Sequence, residues 1–571
     1  MSLVPAKTYY EQANPDLLYR IPVTANSILE IGCGSGGLGK AYKGINPTST
    51  YIGVEVMPAP ASEARKVLDH VIEADINREF NIKLPDTISQ VDCLVFGDVL
   101  EHLVNPHAVV SALLPLLKDQ GQLIACIPNA QHWTVIANLL SGHWPQEEQG
   151  IFDKTHLRWF TLNSIRKLMQ DNNLIIQDIT PRIFDIKNAK TFVSSLAPSM
   201  PNLNLSPQKL LEGVAPLQYV VRASKIPHKN ITISGLMLQP QAGMNDVRMI
   251  QPLRSLSSIP GVQLTLSSDQ LSLSTTESPK IMIWQRQLLT YERSIEQIQK
   301  VIKAGYVLIS EFDDDPEHWP TISQNKYLNF TGVHAVQTST EILAQKLKEF
   351  NPEVAVFENA IEKMPFIESD KWTNIGATKP LKIFFGALNR KDDWKKWMPY
   401  LNKLTARYSH KIQFEVIHDQ EFYNELDARH KNFKPTCNYS EYIKELSACH
   451  ISLLPLNPTS FNECKSDLKL VESAGCNTAA LASPTVYNDS MNDMNIAAIC
   501  RDGEEMSTML EGWINDPEEA KKIADKALTW CENLRLQKYQ TEKRLEWYMS
   551  LWNRRDELTK DLLQRIPELK D

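Results

Sequence analysis

Three glycines alternate at the end of an apolar stretch, in the segment ILEIGCGSG at positions 28–36. Glycine lets the backbone turn tightly and approach a ligand closely, so Gly32, Gly34 and Gly36 predict a ligand-binding loop. Glu30 comes just before this loop, where its carboxylate can bind a cationic group of a ligand. A lone G-x-G-x-G pattern is a weak signal, and its meaning depends on the residues that follow.

Acidic residues end the next apolar stretches in order. Glu55 ends the second stretch, where a carboxylate about 20 residues after the glycines can accept hydrogen bonds from both ribose hydroxyls. Asp75, in IEADI, ends the third stretch and is placed to hold an adenine amino group. Asp98, in DCLVFGDVLEH, ends the fourth, at the sheet edge where such folds bind ligands.

Three interpretations of this order remain: an S-adenosylmethionine site, an NAD site and a related fold without a ligand. NAD sites usually carry G-x-G-x-x-G, with the glycine loop opening directly onto a helix. Glu30 before the glycines suits the methionine end of S-adenosylmethionine instead. We therefore favour S-adenosylmethionine.

Histidines supply candidates for the base of a methyl transfer to oxygen. Such a transfer depends mostly on positioning, and the acceptor hydroxyl must also lose its proton. His102, His132 and His156 are the candidates, and His102 and His156 are favoured. The alternative is structural, with histidines that cap a strand or bond a backbone carbonyl.

The run DKTHLRWFT at positions 153–161 has too many polar groups for a segment of pure core. We expect Asp153, Arg158 and Trp159 to line the mouth through which the methyl acceptor enters. Simple packing at the start of a helix is the alternative.

A second group of chemical residues lies in FNECKSDLKLVESAG at positions 461–475. In helical register, Lys465, Lys469 and Glu472 are four and three residues apart and share one face. A helix N-terminus with lysines can bind a diphosphate, and a glutamate further along can hold a ribose. An amphipathic helix with a solvated Lys/Glu face is the alternative.

Two further segments follow apolar strands. In FFGALNRK, Gly386 permits close approach, and Arg390 or Lys391 can reach a phosphate; a solvated basic turn is the alternative. In GYVLISEFDDD, we expect Asp313 or Asp314 to face the acceptor or the sugar and to act in catalysis. Turn capping is the alternative for these aspartates.

The secondary structure predicted around these residues follows an α/β pattern. Apolar strands such as SILEIG, TYIGVEV and DCLVFGD alternate with helical stretches, which predicts a parallel doubly wound sheet closed by PLQYVVRAS. Residues 187–216, rich in Ser, Pro and Asn, are expected to be irregular. Two more strand–helix series begin at ITISGLML and LKIFFGALN and predict two facing Rossmann-like lobes. The predicted domains are 1–226, 227–368, 369–535 and a helical tail at 536–571.

Bulk properties exclude several classes of protein. The 571 residues are 43% hydrophobic and 22% charged, with a net charge of -8, so no global basic surface gathers nucleic acid. No apolar run approaches the length of a bilayer span, and the start of the chain lacks the pattern of a signal peptide. The nine cysteines form no C-x-x-C pair, which argues against disulfides and structural zinc. We expect a cytoplasmic protein, with peripheral contact at the inner membrane face left open.

Residues 9–225 resemble class I methyltransferases of the type 23-like kind, often fused to glycosyltransferases in bacterial surface-glycan clusters. The matching segments are YYEQANPDLL, LEIGCGSG, DVLEHLVNP, IPNAQHW, GIFDKTHLRWFT and QYVVRAS. The resemblance implies S-adenosylmethionine as cofactor, with contacts at Glu30, Gly32, Gly34, Glu55, Asp75 and Asp98. It does not name the methyl acceptor.

From about residue 230 the chain resembles retaining GT-B glycosyltransferases of family 4 (group 1). The region looks like an N-x-x-K-S-x-x-K-x-x-E variant, which adds Asn462 and Ser466 to Lys465, Lys469 and Glu472 at the nucleotide-sugar donor. The family commonly has two glutamates eight residues apart, but Cys464 stands at the first of these positions. This departure leaves open how the hydroxyls of the donor sugar are held.

The resemblance implies a UDP-, GDP- or dTDP-sugar donor and a glycan or glycoconjugate acceptor. Asp313 and Asp315 formally fit the D-x-D metal motif of the other glycosyltransferase architecture. Because the order of segments is that of GT-B enzymes, which need no metal, we predict none.

Together these features predict a bifunctional enzyme that methylates a hydroxyl and transfers a sugar in the synthesis of a bacterial surface polysaccharide or glycoprotein glycan. One alternative is an active methyltransferase joined to a silent GT-B-like module that binds glycans or acts as a scaffold. Another is a methyltransferase for a non-sugar acceptor with an unrelated second half.

Overall fold

The computed structural model describes residues 13–239, 243–269, 273–376, 378–388, 390–487, 491 and 494–570. Residues 1–12, with which the first predicted domain and the segment YYEQANPDLL begin, lie outside these ranges. The chain divides into two units, residues 1–230 with 257–262 and residues 231–256 with 263–571. Both are of the predicted α/β class. The finer domain boundaries at 226, 368 and 535 stay a prediction.

One mixed sheet forms the centre of the first unit. Its strands are β1 (Ser27–Ile31), β2 (Thr50–Glu55), β3 (His70–Glu73), β4 (Val91–Gly97), β5 (Leu117–Pro128), β6 (Ile175–Arg182) and β7 (Gln218–Ser224). They lie in the order β3-β2-β1-β4-β5-β7-β6, and β7 runs antiparallel to β5 and β6. The strand order reverses between β1 and β4, and ligands bind beyond the carboxyl ends of strands at such a point.

Helices cover both faces of this sheet. They are α1 (Pro15–Leu18), α2 (Gly37–Ile45), α3 (Pro58–Ala64), α4 (Pro106–Leu113), α5 (Trp133–Leu140), α6 (Leu162–Asp171), α7 (Ile186–Leu196) and α8 (Pro207–Val214). Successive residues of β1 alternate between the faces: Ile28 packs with α2 in one buried cluster, and Leu29 packs with α4 and α6 in another. The buried sheet thus fixes the strand ends that carry the loops.

The region expected to be irregular, residues 187–216, is largely helical. The Asp185 side chain caps α7 by accepting from the Asn188 N–H, and Ser206 caps α8 by accepting from the Lys209 N–H. Four apolar residues of this Ser-, Pro- and Asn-rich stretch are buried together in one small cluster: Val193, Met200, Leu210 and Val214.

The second unit contains two lobes, each with its own sheet. The strands of the first lobe are β8 (Ile231–Leu236), β9 (Val262–Ser267), β10 (Lys280–Gln285), β11 (Val307–Glu311), β12 (Ala335–Thr338) and β13 (Val354–Val356), in the order β13-β12-β11-β10-β8-β9. Its helices are α9 (Gln251–Ser257), α10 (Tyr291–Lys303), α11 (Pro320–Gln324), α12 (Leu328–Thr331) and α13 (Glu341–Lys348). A single π-helical turn, Asp246–Ile250, precedes α9.

The second lobe repeats the parallel arrangement. Its strands are β14 (Leu381–Gly386), β15 (Ile412–Ile417), β16 (Lys431–Lys434), β17 (Ile451–Leu454), β18 (Ala479–Ala482) and β19 (Ala498–Ile499), in the order β16-β15-β14-β17-β18-β19. Its helices are α14 (Lys391–Trp394), α15 (Met398–Arg407), α16 (Gln420–Glu425), α17 (Tyr439–Ser447), α18 (Ser460–Glu463), α19 (Leu468–Gly475), α20 (Gly503–Asn515) and α21 (Pro517–Leu534). The strand order reverses between β14 and β17, which again places a ligand site at their carboxyl ends.

The last helices, α22 (Lys538–Asn553) and α23 (Arg555–Arg565), complete the first lobe. Leu562 and Ile566 belong to the same buried cluster as Leu308 of β11. The Tyr548 hydroxyl donates to the Gln337 side chain at 2.8 Å. The predicted helical tail is therefore helical, but it packs against a lobe that begins some three hundred residues earlier in the chain. Within the described residues, we find no helix with the length and hydropathy of a bilayer span.

Candidate functional sites

The glycine loop of the first unit is held by β2. The Gly32 and Cys33 N–H groups donate to Val54 O, and the Gly34 N–H donates to the Glu55 carboxylate at 2.9 Å. Gly32 and Gly34 have φ values of 70° and 54°, a backbone conformation that residues other than glycine rarely adopt. A Cβ at Gly32 would also lie 2.4 Å from Val99 Cγ2. The loop therefore requires glycine for its shape.

A cavity lies beyond the carboxyl ends of β1 and β4. Glu30 at its base is buried and accepts a hydrogen bond from the Tyr51 hydroxyl at 3.0 Å. Burial raises the pKa of Glu30 to about 8. Asp98, in a left-handed conformation after β4, accepts from the Gln218 amide, and burial raises its pKa as well. The predicted residues that line the cavity are Glu30, Gly32, Gly34, Glu55, Asp98, His102, Asp153 and His156.

Four predicted residues of this site lie outside the lining. Gly36 caps α2, and Asp75 forms an ion pair with Arg78 at 3.3 Å after β3. The Arg158 guanidinium donates to the Val104 carbonyl, and the half-exposed Trp159 ring lies 5.7 Å from that of Trp144. The structure thus does not bring these four residues to the cavity lining.

Two of the three candidate histidines meet at the cavity. The rings of His102 and His156 lie 4.8 Å apart, centroid to centroid. Burial and the neighbouring His102 lower the pKa of His156. His132 lies elsewhere, with its Nδ1 at 2.7 Å from the Thr134 hydroxyl, and burial lowers its pKa to about 4. The structure thus places His132 apart from the cavity that His102 and His156 line.

The sequence reasoning missed Glu101, which lies between Asp98 and His102 in the chain and lines the same cavity. Its side chain is buried, 1% exposed. Burial and the nearby Asp98 carboxylate raise its pKa. The motif DVLEH contains Glu101, and its position before a candidate base was a usable signal.

The cavity of the second unit lies beyond the carboxyl ends of β14 and β17. Gly386 ends β14 there, and a Cβ at this position would lie 2.6 Å from the Phe384 ring. The predicted residues that line the cavity are Asp313, Gly386, Arg390, Lys465, Ser466, Lys469 and Glu472. The structure therefore gathers most of the predicted donor residues in one place.

The cations of this cavity are paired with carboxylates. Lys465 Nζ lies 2.6 Å from Asp314 Oδ1, over the face of the Phe461 ring. Arg286 pairs with Asp313 at 2.6 Å, which holds the pKa of that partly buried carboxyl below its ordinary value. Asp314 itself is buried and does not line the cavity. Both predicted catalytic aspartates are thus engaged in ion pairs.

The predicted shared helical face holds only in part. Helix α19 begins at Leu468, so Lys469 and Glu472 lie on one face and form an ion pair at 3.2 Å. Lys465 precedes the helix, in the break after α18. Asp467, whose carboxylate binds the Arg535 guanidinium, occupies the N-cap of α19 and ends that break. The Lys465 amine nevertheless reaches the same cavity.

Two predicted donor residues lie outside this cavity. The Asn462 side chain is buried between Arg390 and Asp393, donating to Asp393 and accepting from Arg390 at 2.9 Å each. Lys391 points to the surface and pairs with Glu421 at 2.9 Å. Asn462 therefore positions Arg390, whereas the Lys391 amine lies apart from the donor cavity.

The sequence reasoning also missed Arg248, a buried residue of the cavity. Its guanidinium pairs with Glu311 at 2.7 Å and donates to Asn359, whose amide donates to Ser466 at 2.6 Å. Arg248 lies in the π-helical turn before α9, and a π turn has no sequence pattern by which we could have found it.

Comparisons with known proteins match both halves of the chain. The family described as "Methyltransferase domain" matches residues 7–178, and the family described as "Glycosyl transferase-like" matches residues 399–550. Ubiquinone biosynthesis O-methyltransferase of Pseudomonas fluorescens is 28% identical over 112 residues, 18% of this chain and 45% of the relative. The mitochondrial enzyme of the same name from Bos taurus is 24% identical over 177 residues, 29% of this chain and 45% of the relative. The chain thus spans about half the length of these curated relatives.

Solved structures align with each half. A SAM-dependent methyltransferase of Thermotoga maritima covers 37% of this chain with 92% of its own, at 17% identity and a TM-score of 0.25. The Anabaena protein HepE, solved with UDP and glucose, covers 56% of this chain with 100% of its own, at 12% identity and a TM-score of 0.41. The two family matches lie in the order that the sequence predicts, with the methyltransferase first and the glycosyltransferase second. The chain therefore joins an N-terminal methyltransferase domain to a C-terminal glycosyltransferase-like domain, both of the transferase class.

Proposed function

We propose that this chain transfers a methyl group from S-adenosylmethionine and a sugar from a nucleotide sugar. One observation carries the proposal: each unit has a cavity at the carboxyl ends of its strands, and the charges of the two cavities match these two donors. Buried carboxylates line the first cavity, as a sulfonium and an ammonium group require. Lysines and arginines line the second, as a diphosphate requires.

In the first cavity, Glu30 binds the ammonium group of the methyl donor, and the glycine loop lets its backbone approach. Glu55 holds the ribose hydroxyls, although its carboxylate also accepts the Gly34 N–H at 2.9 Å. The donor supplies an electrophilic methyl carbon, and the chain must orient the acceptor oxygen in line with it. Asp75 would hold the adenine only if its side chain left Arg78.

In the second cavity, Lys465 and Lys469 bind the diphosphate, and Glu472 holds the nucleotide ribose. The Glu472 side chain is 2% exposed, and a buried carboxylate makes strong charge-assisted hydrogen bonds with hydroxyls. The amine of Lys469 also donates to the Tyr442 hydroxyl at 2.9 Å, which holds the lysine toward the cavity. Asp313 faces the same cavity, near the transferred sugar or its acceptor.

The acceptor we propose is a hydroxyl of a bacterial surface polysaccharide or glycoprotein glycan made in the cytoplasm. The curated relatives of the first half are named as O-methyltransferases, which supports an oxygen acceptor. A glycosyltransferase-like domain in the same chain supports a sugar acceptor. Tethering two sites that share an acceptor raises its local concentration to about millimolar.

A second candidate function keeps the methyl transfer and makes the second half a silent glycan-binding module. The position of Cys464 favours it, because this buried residue packs in the core of the first lobe where a donor-sugar carboxylate is common in the resembling family. Sugar transfer or donor hydrolysis by the second half would exclude this candidate.

Thermal-shift titration of the full chain with S-adenosylhomocysteine, UDP, GDP and dTDP tests both donor sites. A ligand that binds the folded state raises its stability with the logarithm of ligand concentration over Kd. We expect S-adenosylhomocysteine and one nucleotide to stabilise the chain independently. Absence of a shift with S-adenosylhomocysteine at millimolar concentration, or with every nucleotide, contradicts the corresponding half of the proposal.

A further inference from the structure

The Glu101 carboxylate is buried without a partner. Its side chain is 1% exposed, and neither of its oxygens has a hydrogen-bond partner among the described residues. The imidazole Nε2 of His156 lies 4.0 Å from Oε1, too far for a hydrogen bond. Buried charges in native proteins are paired with another charge or coordinate a metal, because their desolvation is costly. Among the described residues no cation is bonded to Glu101, so the buried carboxyl either stays protonated, as its raised pKa favours, or ionises when a cation binds beside it.

The His102 ring is oriented to present a free nitrogen. Its Nδ1 lies 3.1 Å from the Thr155 hydroxyl, whose own proton is given to Asp153 Oδ1 at 2.6 Å. Because that hydroxyl has only one proton to donate, His102 Nδ1–H must be the donor in the first contact. The lone pair then lies on Nε2, as in histidines that bind metals through one nitrogen while the other is hydrogen-bonded.

His156 completes the group. One ligand atom from each of Glu101, His102 and His156 lies within 4.8 Å of the others. Two bonds of about 2.1 Å at a tetrahedral angle place their ligand atoms about 3.4 Å apart, so binding must draw the widest pair of these atoms together by up to about 1.4 Å. The two segments are already joined, because the Leu157 and Arg158 N–H groups both donate to Glu101 O.

We propose that Glu101, His102 and His156 bind a divalent transition-metal ion at the floor of the methyl-transfer cavity. Two imidazoles and one carboxylate form the ligand set typical of zinc and iron sites with open positions, whereas magnesium prefers oxygen ligands. All three residues line the cavity, so the open positions of the ion face the space left for the acceptor.

The role of the ion rests on the proposed methyl transfer. The acceptor hydroxyl oxygen binds the ion, which lowers the pKa of that hydroxyl and lets its proton pass to water at the cavity mouth. The oxygen lone pair then forms a bond to the methyl carbon while the carbon–sulfur bond breaks, and its electron pair stays on sulfur. His102 and His156 accordingly hold the ion instead of accepting the proton themselves.

Calorimetry on the full chain tests the site without any need for activity. The purified chain is stripped with EDTA, dialysed and titrated with zinc sulfate and, separately, with manganese chloride. We expect one saturable site, with Glu101→Gln and His156→Gln each weakening affinity at least about tenfold. His143→Gln is the matched control, because His143 is exposed and outside the cluster. Parent-like zinc and manganese affinity in Glu101→Gln, or no saturable binding by the parent, overturns the proposal.

Two further measurements keep the result decisive. If Glu101→Gln fails to fold, as judged by circular dichroism, the parent is titrated with cobalt(II), which must give visible absorption bands that zinc abolishes. The absence of these bands rejects the site. S-Adenosylhomocysteine binding is measured in the same stripped protein. Binding of S-adenosylhomocysteine without metal binding rejects only the metal site, whereas failure to bind S-adenosylhomocysteine rejects the proposed methyl transfer itself.

Discussion

The two cavities differ in how their charges are balanced. In the first unit, Glu30 and Glu101 are buried carboxylates to which no cationic side chain of the described residues is bonded, and burial raises the pKa of each. In the second unit, the cations already have carboxylate partners, at 2.6 Å for Lys465 with Asp314 and 3.2 Å for Lys469 with Glu472. The first cavity contains one arginine, Arg182, which pairs with Asp16, whereas in the second cavity each of these lysines is bonded to a carboxylate of the site.

This difference predicts two modes of binding. A cationic ligand entering the first cavity can pair with Glu30 or Glu101, which have no bonded cation among the described residues, so its affinity depends on the ionisation of these buried carboxylates. An anionic ligand entering the second must draw lysines away from carboxylates that already hold them, so its affinity depends on that competition. Substitutions in each cavity test these two modes.

The largest effect is expected from Gly34→Val in the first cavity. Gly34 has a φ of 54° and its N–H donates to Glu55, so a branched side chain disturbs the loop and blocks the approach of the cofactor. Calorimetry should show S-adenosylhomocysteine binding in the parent and none in the variant. Gly142→Ala is the control, since Gly142 has a φ of 75° but nothing within 4 Å of an added Cβ. Unchanged affinity in Gly34→Val would contradict the cofactor assignment.

Next in size are Lys465→Ala and Glu472→Gln in the second cavity. Each removes charge-assisted contacts to the nucleotide, so the affinity for the cognate nucleoside diphosphate should fall about tenfold or more. Asp314 keeps Arg286 at 3.5 Å in the lysine variant, so the fold retains a cation there.

Lys391→Ala is the control for both variants, because Lys391 pairs with Glu421 away from the cavity and its loss should leave nucleotide affinity unchanged. The affinities are measured by titration with the diphosphate identified in the thermal-shift screen. Parent-like binding by both Lys465→Ala and Glu472→Gln would mean that the nucleotide binds elsewhere.

The pH dependence of the first cavity should be no larger for a single pH unit, and its direction is distinctive. Glu30 has a pKa of about 8 in the ligand-free protein and is therefore mostly protonated at pH 7. A bound ammonium group favours the ionised carboxylate, so binding must release this proton, and affinity rises about tenfold per pH unit below pH 8. Calorimetry with S-adenosylhomocysteine at pH 6, 7 and 8 measures this slope. Glu30→Gln should bind weakly with a flat profile, and a steep profile in that variant would assign the proton to another group.

The smallest effect is expected from Asp314→Asn, and its sign is the informative part. The change removes the full charge that holds Lys465 at 2.6 Å, which frees the lysine for phosphate. Affinity for the nucleoside diphosphate should therefore rise a few-fold in calorimetric titration. A loss of affinity would show that Asp314 orients Lys465 for the ligand, and that this ion pair does not compete with it.

Much of the fold followed from local patterns. The segments SILEIG, TYIGVEV and LKIFFGALN form strands β1, β2 and β14, because apolar residues between turn-forming residues are sufficient to identify buried strands. The placement of β7 between β5 and β6 in the sheet could not be predicted, because strand order depends on contacts between residues far apart in the chain. The helices within residues 187–216 were missed because polar residues outnumber the few apolar ones that pack there.

The candidate sites show the same limit. Residues adjacent to a strand end, such as Glu30 and Gly386, could be placed from the sequence because the strand fixes their position. The positions of the Asp75 and Lys391 side chains could not be predicted in this way. They form ion pairs with Arg78 and Glu421 and do not line the cavities. Whether a charge is free or paired depends on neighbours that are remote in sequence, as Lys465 and Asp314 demonstrate.

Helices α22 and α23 have a consequence for synthesis on the ribosome. The first-lobe strands, which begin at Ile231, leave the ribosome long before Leu562 and Ile566, the residues that cover part of their core. During that interval the lobe exposes apolar surface around Leu308, a condition that favours aggregation and recruits chaperones. A nascent chain stalled or truncated before residue 554 therefore lacks α23 and the part of the first-lobe core that Leu562 and Ile566 supply, even though its sheet is already complete.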